Sequence, residues 1–395
     1  MRPAMPDSVQ IPAGPLSGVV VVDLTRVLAG PYCTLVLAEL GARVIKVERP
    51  GHGDDARGVG PFMNGKSAYF MSLNRGKESI ALDLGETADR AIFERLIARA
   101  DVLVENYRPG VLAKHGLGWE ALHARWPRLV LASISGFGQT GPYSSRPAFD
   151  MVVQAMGGVM SLTGWPGGPP TRVGTSIGDI TAGLFGAIGI LAALNERAQT
   201  GLGRHVDVAM LDSQVAILEN AIARYAATGE VPGPLGSRHP SIAPFAAFRA
   251  RDKHLVIAAG HDPMFHKLCG VLEAPELRSD PRFLGVQERV ANADALGVEV
   301  EKRLGARDAA DWLARLAAAG VPCGPIHDVA GVLADPQVRA RNMIVSADDP
   351  ISGRLEMPGN PIKLDGRADP LTRPPAPELD ADRAAILAEL ERENG

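Results

Sequence analysis

Hydrophobic positions along the first half of the chain come in short unbroken runs separated by helix-length segments. The run "GVVVVDL" (18–24) shows no polar alternation, which predicts a strand buried on both faces of a parallel sheet. "AGPYCTLVLAELGA" then reads as a helix started by Pro31 and stopped at Gly41, and "RVIKVE" (43–48) as the next strand. The pattern continues with a helix over 88–100, a strand "DVLVEN" (101–106), a helix over 119–125 and a strand "LVLASISG" (129–136). A helix near Asp179, a strand "HVDVAM" (205–210) and a helix over 211–225 complete it. Such alternation predicts an α/β fold with a doubly wound parallel sheet and ligands at the carboxyl ends of its strands.

The character changes after the Gly/Pro-rich stretch "ATGEVPGPLGSRHPS" (227–241). "APFAAFRARDKHLVIAAG" predicts two antiparallel strands about a polar turn, followed by helices over 262–271 and 309–319. The expected organisation is a large domain over 1–227, a smaller α+β domain over 228–325, and a segment 326–395 that returns to the large domain and ends in a helix near Glu391.

Composition narrows the chemistry. With 395 residues, 46% of them hydrophobic, the chain has ample material for a core, and its formal charge of −4 offers no general attraction for nucleic acid or an anionic membrane. Cys33, Cys269 and Cys323 are too few and too scattered for a disulfide framework or a CxxC metal site. The first residues, "MRPAMPDSVQIPAGPLSG", are polar and Pro-rich without an apolar signal core, so a cytoplasmic protein with no membrane partner is expected. No GxGxxG follows the first strand, which removes the phosphate cradle of a nicotinamide dehydrogenase. HExxH is absent, and the nine His residues show no metal-ligand spacing, so no metal is expected.

What remains is a series of polar clusters at predicted strand ends, among them "TRVLAGP" (25–31), "VERPGHGDDAR" (47–57), "LNRGKESIALDL" (73–84), "VENYRPG" (104–110) and "GWPGGPPTRVGTSIGD" (164–179). Arg49, Arg57, Arg75, Lys77, Arg108 and Lys114 would place cations at the crevice mouth, as a polyphosphate ligand requires. Asp179 opens a helix that otherwise stays uncharged for four turns. Its position suits a nucleophile, but on the residues alone a plain N-terminal cap is the favoured reading.

"VVDLTRVLAGPYCTLVLAELGARVIKVERPGHGDDAR", "YFMSLNRGKESIALDL", "DVLVENYRPG", "SISGFGQTGP", "FDMVVQAMGGVMSLTG" and "GDITAGLFGAIGILAAL" together resemble the class III CoA-transferase family, also known as the carnitine dehydratase and bile-acid-inducible protein family. The resemblance runs in order over about 18–365. It implies a Rossmann-like large domain, a small domain, and an interlocked homodimer of ring-shaped subunits. It also implies CoA thioesters as substrates, with no tightly bound cofactor, and carboxylic acids as acceptors.

By the same resemblance Asp179 is the nucleophile, passing through a mixed anhydride and an aspartyl-CoA thioester. Arg26, Val27, Leu28, Ala29, Arg49, Leu82, Asn106, Tyr107, Lys114 and Phe149 fall on positions that contact CoA. Leu28 stands where formyl-CoA transferase has a glutamine, and "GSRHPSIAPFAAF" (236–248) replaces its Gly-rich lid, which points away from formyl or oxalate specificity. The version here is closer to succinyl-CoA-dependent members that load dicarboxylates, with Arg238 and His239 as candidates for a distal carboxylate. Two alternatives are a racemase of the α-methylacyl-CoA type, disfavoured because "AFD" (148–150) has Phe149 where that enzyme has its His, and an acyl-CoA-binding protein without turnover. The usual Gly-x-His-Thr pattern is missing from the tail "RPPAPELDADRAAIL".

Overall fold

The structure, a computed structural model, describes residues 14–392, so most of the polar N-terminal stretch lies outside the described residues. The chain forms two compact units. The larger takes in residues up to 160, 172–230 and 336 onward, and the smaller takes in 161–171 and 231–335.

The larger unit is built on six parallel strands, β1 (Val20–Asp23), β2 (Arg43–Glu48), β3 (Glu78–Ala81), β4 (Val102–Glu105), β5 (Val130–Ser135) and β6 (His205–Ala209), in the spatial order β3-β2-β1-β4-β5-β6. This is the doubly wound order, and the direction of winding reverses between β1 and β4. Val21, Val22 and all of Val102–Val104 are inaccessible to solvent, which explains why these strands read as continuous apolar runs.

β3 escapes the hydrophobic pattern because it is short and half polar, "ESIA". Its polar atoms are used instead by the C-terminal segment, whose Asp380 and Asp382 carboxylates accept the Ala81 and Ser79 N–H groups at 2.7 and 2.8 Å and so cover the sheet edge. The helix expected over 211–225 is broken into Met210–Ala216 and Ala221–Thr228, with Glu219 in a left-handed conformation (φ 53°) between them. The return segment contributes an antiparallel hairpin, Ile344–Asp349 with Gly353–Pro358, and a last helix Arg383–Arg392.

In the smaller unit Phe245–Arg249, His254–Ala258 and Cys323–Pro325 make a three-stranded antiparallel sheet against helices Asp262–Val271 and Ala309–Ala318. The stretch 161–171 belongs here because the Gly236 N–H donates to the Gly164 carbonyl at 2.8 Å and Gly236 sits against the Trp165 ring.

Three helices of the larger unit position the site: α1 (Ala29–Glu39), α2 (Asp150–Met156) and α3 (Ile177–Thr200). α3 lies along α1 through glycines that admit nothing larger. A Cβ on Gly183 would stand 2.7 Å from the Ala29 carbonyl oxygen, and one on Gly186 would stand 2.8 Å from the Ile134 side chain and 3.2 Å from the Cys33 sulfur. Gly183→Ala, which would stabilise an open helix by about 1 kcal/mol, is therefore expected to destabilise this protein by about 1–3 kcal/mol in urea unfolding.

Candidate functional site

The first turn of α3 carries two carboxylates, one on the helix and one aimed at it. Asp179 is the third helical residue, and the N-cap position, Ser176, makes no side-chain capping bond. Capping is done by Asp150 from α2, whose Oδ1 accepts the Gly178 N–H at 2.8 Å while its Oδ2 accepts the Gln154 amide at 2.8 Å. Gly178 permits that approach, since a Cβ there would lie 3.0 Å from Asp150 Oδ1 and 2.7 Å from Val153. Asp179 is thereby released from the role that its sequence position suggests.

The Asp179 carboxylate accepts the backbone N–H of Ala29, the first residue of α1. Burial, reinforced by the charge of Asp150 and opposed by that N–H, pushes its pKa up to about 7. Tyr69 belongs to the same cluster. Its hydroxyl is pushed up to about 12 by burial and by the charges of Asp179, Asp54 and Asp150. Neither Asp150 nor Tyr69 is recognisable from sequence pattern, because their importance comes from which helices meet. An acid followed four residues later by Gln154 is the one local hint of a fixed carboxylate.

The loop after β1 delivers Ala29, and it is held from β2, β4 and the turn at Asp54. Asn106, beyond β4, accepts the Arg26 N–H at 3.0 Å and donates to the Arg26 carbonyl at 2.8 Å. Lys46, on β2, donates to the Thr25 carbonyl at 2.7 Å and pairs with Asp54 at 2.8 Å, with both side chains sealed from solvent. Asp54 accepts the Val27 N–H at 2.9 Å. Val27 has φ 68°, a left-handed conformation that is strained for a β-branched residue and is retained only where neighbours impose it.

At the carboxyl ends of β1 to β4 lies a cleft of about 460 Å³, lined by Leu24, Arg49, His52, Leu82, Tyr107 and His115 among others. An adjoining hollow is lined by Arg26, Arg49 and Tyr107. Arg26 and Arg49 both reach Asp55, at 3.0 and 2.9 Å, with half-exposed guanidinium groups, and Arg26 also lies 5.7 Å above the Tyr107 ring. The structure thus brings together Arg26, Arg49, Leu82 and Tyr107, with Asn106 fixing the loop between them. Leu28 and Ala29 are buried, Lys114 is exposed one residue short of His115, and Phe149 is 75% exposed at the start of α2.

Three of the cations expected at the crevice mouth are elsewhere. Lys77 is fully buried and donates to Asp23, Thr34, Asn74 and the Pro31 carbonyl. Arg75 is buried against Glu39 at 2.7 Å and the Pro358 carbonyl at 2.9 Å. Arg57 grips Glu48 with two bonds of 2.8 Å and lies 3.8 Å over the Phe70 ring. Each answers an internal carboxylate rather than facing the cleft. In the smaller unit, Arg238 pairs with Asp294 at 2.6 Å, and the His239 ring accepts the Ser241 N–H at 3.1 Å and leans on Phe245.

Residues 16–383 match the family described as CoA-transferase family III. The chain is 51% identical to acetyl-CoA:oxalate CoA-transferase of Acetobacter aceti over 96% of both sequences. It is 41% identical to succinyl-CoA:mesaconate CoA-transferase of Haloarcula hispanica over 95% of this chain and 96% of that one. The crystal structure of a CAIB/BAIF family protein from Brucella suis superposes with a TM-score of 0.84 at 43% identity, covering 96% of this chain and all of the other. The strand order, the cleft at the switch point and near-complete matches at these identities agree, and the chain is a member of CoA-transferase family III, an enzyme that moves CoA between carboxylic acids.

Proposed function

We propose that the protein transfers CoA from an acyl-CoA donor, such as succinyl-CoA, to a dicarboxylic acid, with Asp179 as the covalent carrier. The observation that carries this reading is the Asp179 carboxylate: half-buried, unneeded as a helix cap, and held against Ala29, where the loop that borders the cleft ends. In the first step an Asp179 oxygen attacks the thioester carbon, the C–S bond breaks, and CoA thiolate leaves a mixed anhydride. The thiolate then attacks the aspartyl carbonyl, forming an aspartyl-CoA thioester and releasing the donor acid as its carboxylate. The acceptor carboxylate repeats the exchange: it displaces the thiolate to form a second anhydride, and the thiolate attacks the acceptor carbonyl to give the new thioester and free Asp179. Each step trades one activated acyl group for another, so no step has far to climb.

The Ala29 N–H supports the oxyanion that forms on Asp179 when the thiolate or the acceptor attacks the aspartyl carbonyl, and partial burial limits access by water, which would hydrolyse the anhydride. Arg26 and Arg49 supply cations for the phosphates of CoA, and Leu82 and Tyr107 supply an apolar and aromatic wall for its base. An α-proton shuttle needs a second base facing the first, and Phe149 offers none. The relatives' names pair two different donors with oxalate and mesaconate, both diacids, which supports a dicarboxylate acceptor. We further propose the interlocked homodimer. Met151, Val152, Leu184, Phe185 and Ile188 on α2 and α3 are exposed apolar side chains of the kind that a partner subunit covers.

Incubation with acetyl-CoA or succinyl-CoA followed by intact-mass analysis and peptide mapping is expected to find an adduct on Asp179. Its absence from the wild type, or an Asp179→Asn variant that still transfers CoA, would refute the assignment. Because the carboxyl titrates near 7, adduct formation is expected to fall about tenfold per pH unit below that value and to level off above it. Asp150→Asn keeps an oxygen for the Gly178 N–H but removes a charge that raises the Asp179 pKa, so the acid limb should move to lower pH. Stability should shift the opposite way from activity. With the folded pKa above the unfolded one, ionising Asp179 costs stability as pH rises from about 4 to 7, by up to about 4 kcal/mol. Asp179→Asn should accordingly raise the Tm at pH 8 and raise it much less near pH 5.

A further inference from the structure

The loop that leads into α3 contains an arginine that the mechanism does not use. Arg172 reaches to 3.7 Å from Asp150 Oδ2, beyond hydrogen-bonding range, and to 3.5 Å from the Gly174 carbonyl, at the edge of it. Its side chain is 41% exposed. By contrast, the backbone beside it is fixed, since the Val173 N–H donates to the Gln154 side-chain oxygen at 2.9 Å. Asp150 has no need of the guanidinium, because Gly178 and Gln154 already supply a donor to each of its oxygens. Arg57, Arg75 and Lys77 are all committed to internal carboxylates by short bonds. Arg172 therefore combines an anchored base with a loosely held head, next to the carboxylate that caps the nucleophile's helix.

We propose that Arg172 is the specificity-determining residue that takes the distal carboxylate of a dicarboxylic substrate while the other end reacts at Asp179. A guanidinium presents a planar pair of N–H donors that matches a carboxylate in two parallel bonds, and it turns from Asp150 to an incoming anion without leaving Asp150 unpaired. The site serves acceptors such as glutarate and donors such as succinyl-CoA alike, since both carry a free carboxylate away from the reacting carbon. It gives nothing to acetyl-CoA or to a monocarboxylic acid. Arg238, the alternative cation in the sequence, is engaged with Asp294 in the smaller unit.

This inference rests on the CoA-transferase reading, and the test keeps the two apart. The full-length wild type and the Arg172→Gln, Arg172→Lys and Arg238→Gln variants are assayed with acetyl-CoA as donor and with glutarate or pentanoate as acceptor, an inhibition constant replacing KM for an acid that is not turned over. The rate of the Asp179 adduct is measured separately from acetyl-CoA and from succinyl-CoA. Arg172→Gln is expected to raise KM for glutarate roughly 10- to 100-fold and to slow the adduct from succinyl-CoA. Pentanoate and the adduct from acetyl-CoA should stay within about twofold of wild type, and Arg172→Lys should recover part of the loss. Equal effects on both acids, a loss of the acetyl-CoA adduct in Arg172→Gln, or glutarate selectivity lost only in Arg238→Gln would each overturn the proposal. A wild type that forms no adduct from either donor would instead refute the transferase reading on which it stands.

Discussion

The hydrogen bond from the Gly178 N–H to Asp150 decides what the site is able to do. A helix N-terminus presents unpaired N–H groups, and the carboxylate that satisfies them is stabilised as an anion and becomes a weaker nucleophile. If Asp179 filled that role it would be an ordinary first-turn acid. With Asp150 supplied from α2, Asp179 keeps only the Ala29 N–H and the penalty of burial, so its electron pairs stay available and its pKa rises. The two acids divide the work of one: the neighbour holds the helix end, and the helix residue is left free of the cap. Asp150 also adds its negative charge beside Asp179, which moves the pKa in the same direction as burial does.

A second constraint lies under the loop that brings Ala29 into place. Asp23 is fully buried, and burial alone would raise its carboxyl, yet Lys77, Lys46 and the hydroxyls of Thr25 and Thr34 together hold it far below the usual carboxylate range. The same Lys46 reaches Thr25 and Asp54, and Asp54 holds Val27 in its left-handed turn. Strain of roughly 1–2 kcal/mol at a non-glycine residue persists when the surroundings leave no alternative, and here the surroundings are ionic and sealed. Removing one partner would leave a buried charge uncompensated, a cost larger than the strain itself. The loop therefore stays where α1 must begin, even though its own backbone preference is against it.

Much of this was legible in the sequence. "RVIKVE" is a strand over 43–48 and "DPMFHKLCGV" a helix over 262–271, as their patterns say, because one is buried on both faces and the other has clear polar and apolar sides. β3 was not legible, since a four-residue edge strand with two polar residues is fixed by carboxylates some three hundred positions away. The break at Glu219 leaves no trace in the apolar pattern of 211–225. Lys77, Arg75 and Arg57 misled for a related reason: a charge written in a sequence looks the same whether it faces water or a buried acid. Pattern alone favours a cap for Asp179. The resemblance favours a nucleophile, and the structure shows what neither supplies, an acid on another helix that takes over the cap.

The glycines of α3 connect these two constraints. Asp179 and Gly183 are four residues apart, so they lie one above the other on the same helix face. Ala29 meets both of them, its N–H donating to Asp179 and its carbonyl oxygen lying 2.7 Å from where a Cβ on Gly183 would stand. One residue of α1 is thus gripped at two successive levels of α3, at a separation that only glycine allows. The apolar side chains Leu184, Phe185 and Ile188 leave from other sides of the helix and are exposed, so α3 turns its smallest residues toward α1 and carries its bulk elsewhere. A larger residue at 183 would push α1 outward and carry the Ala29 N–H off the carboxylate. The run of small residues that looks like plain hydrophobic filler therefore sets the distance at which the Asp179 charge is held.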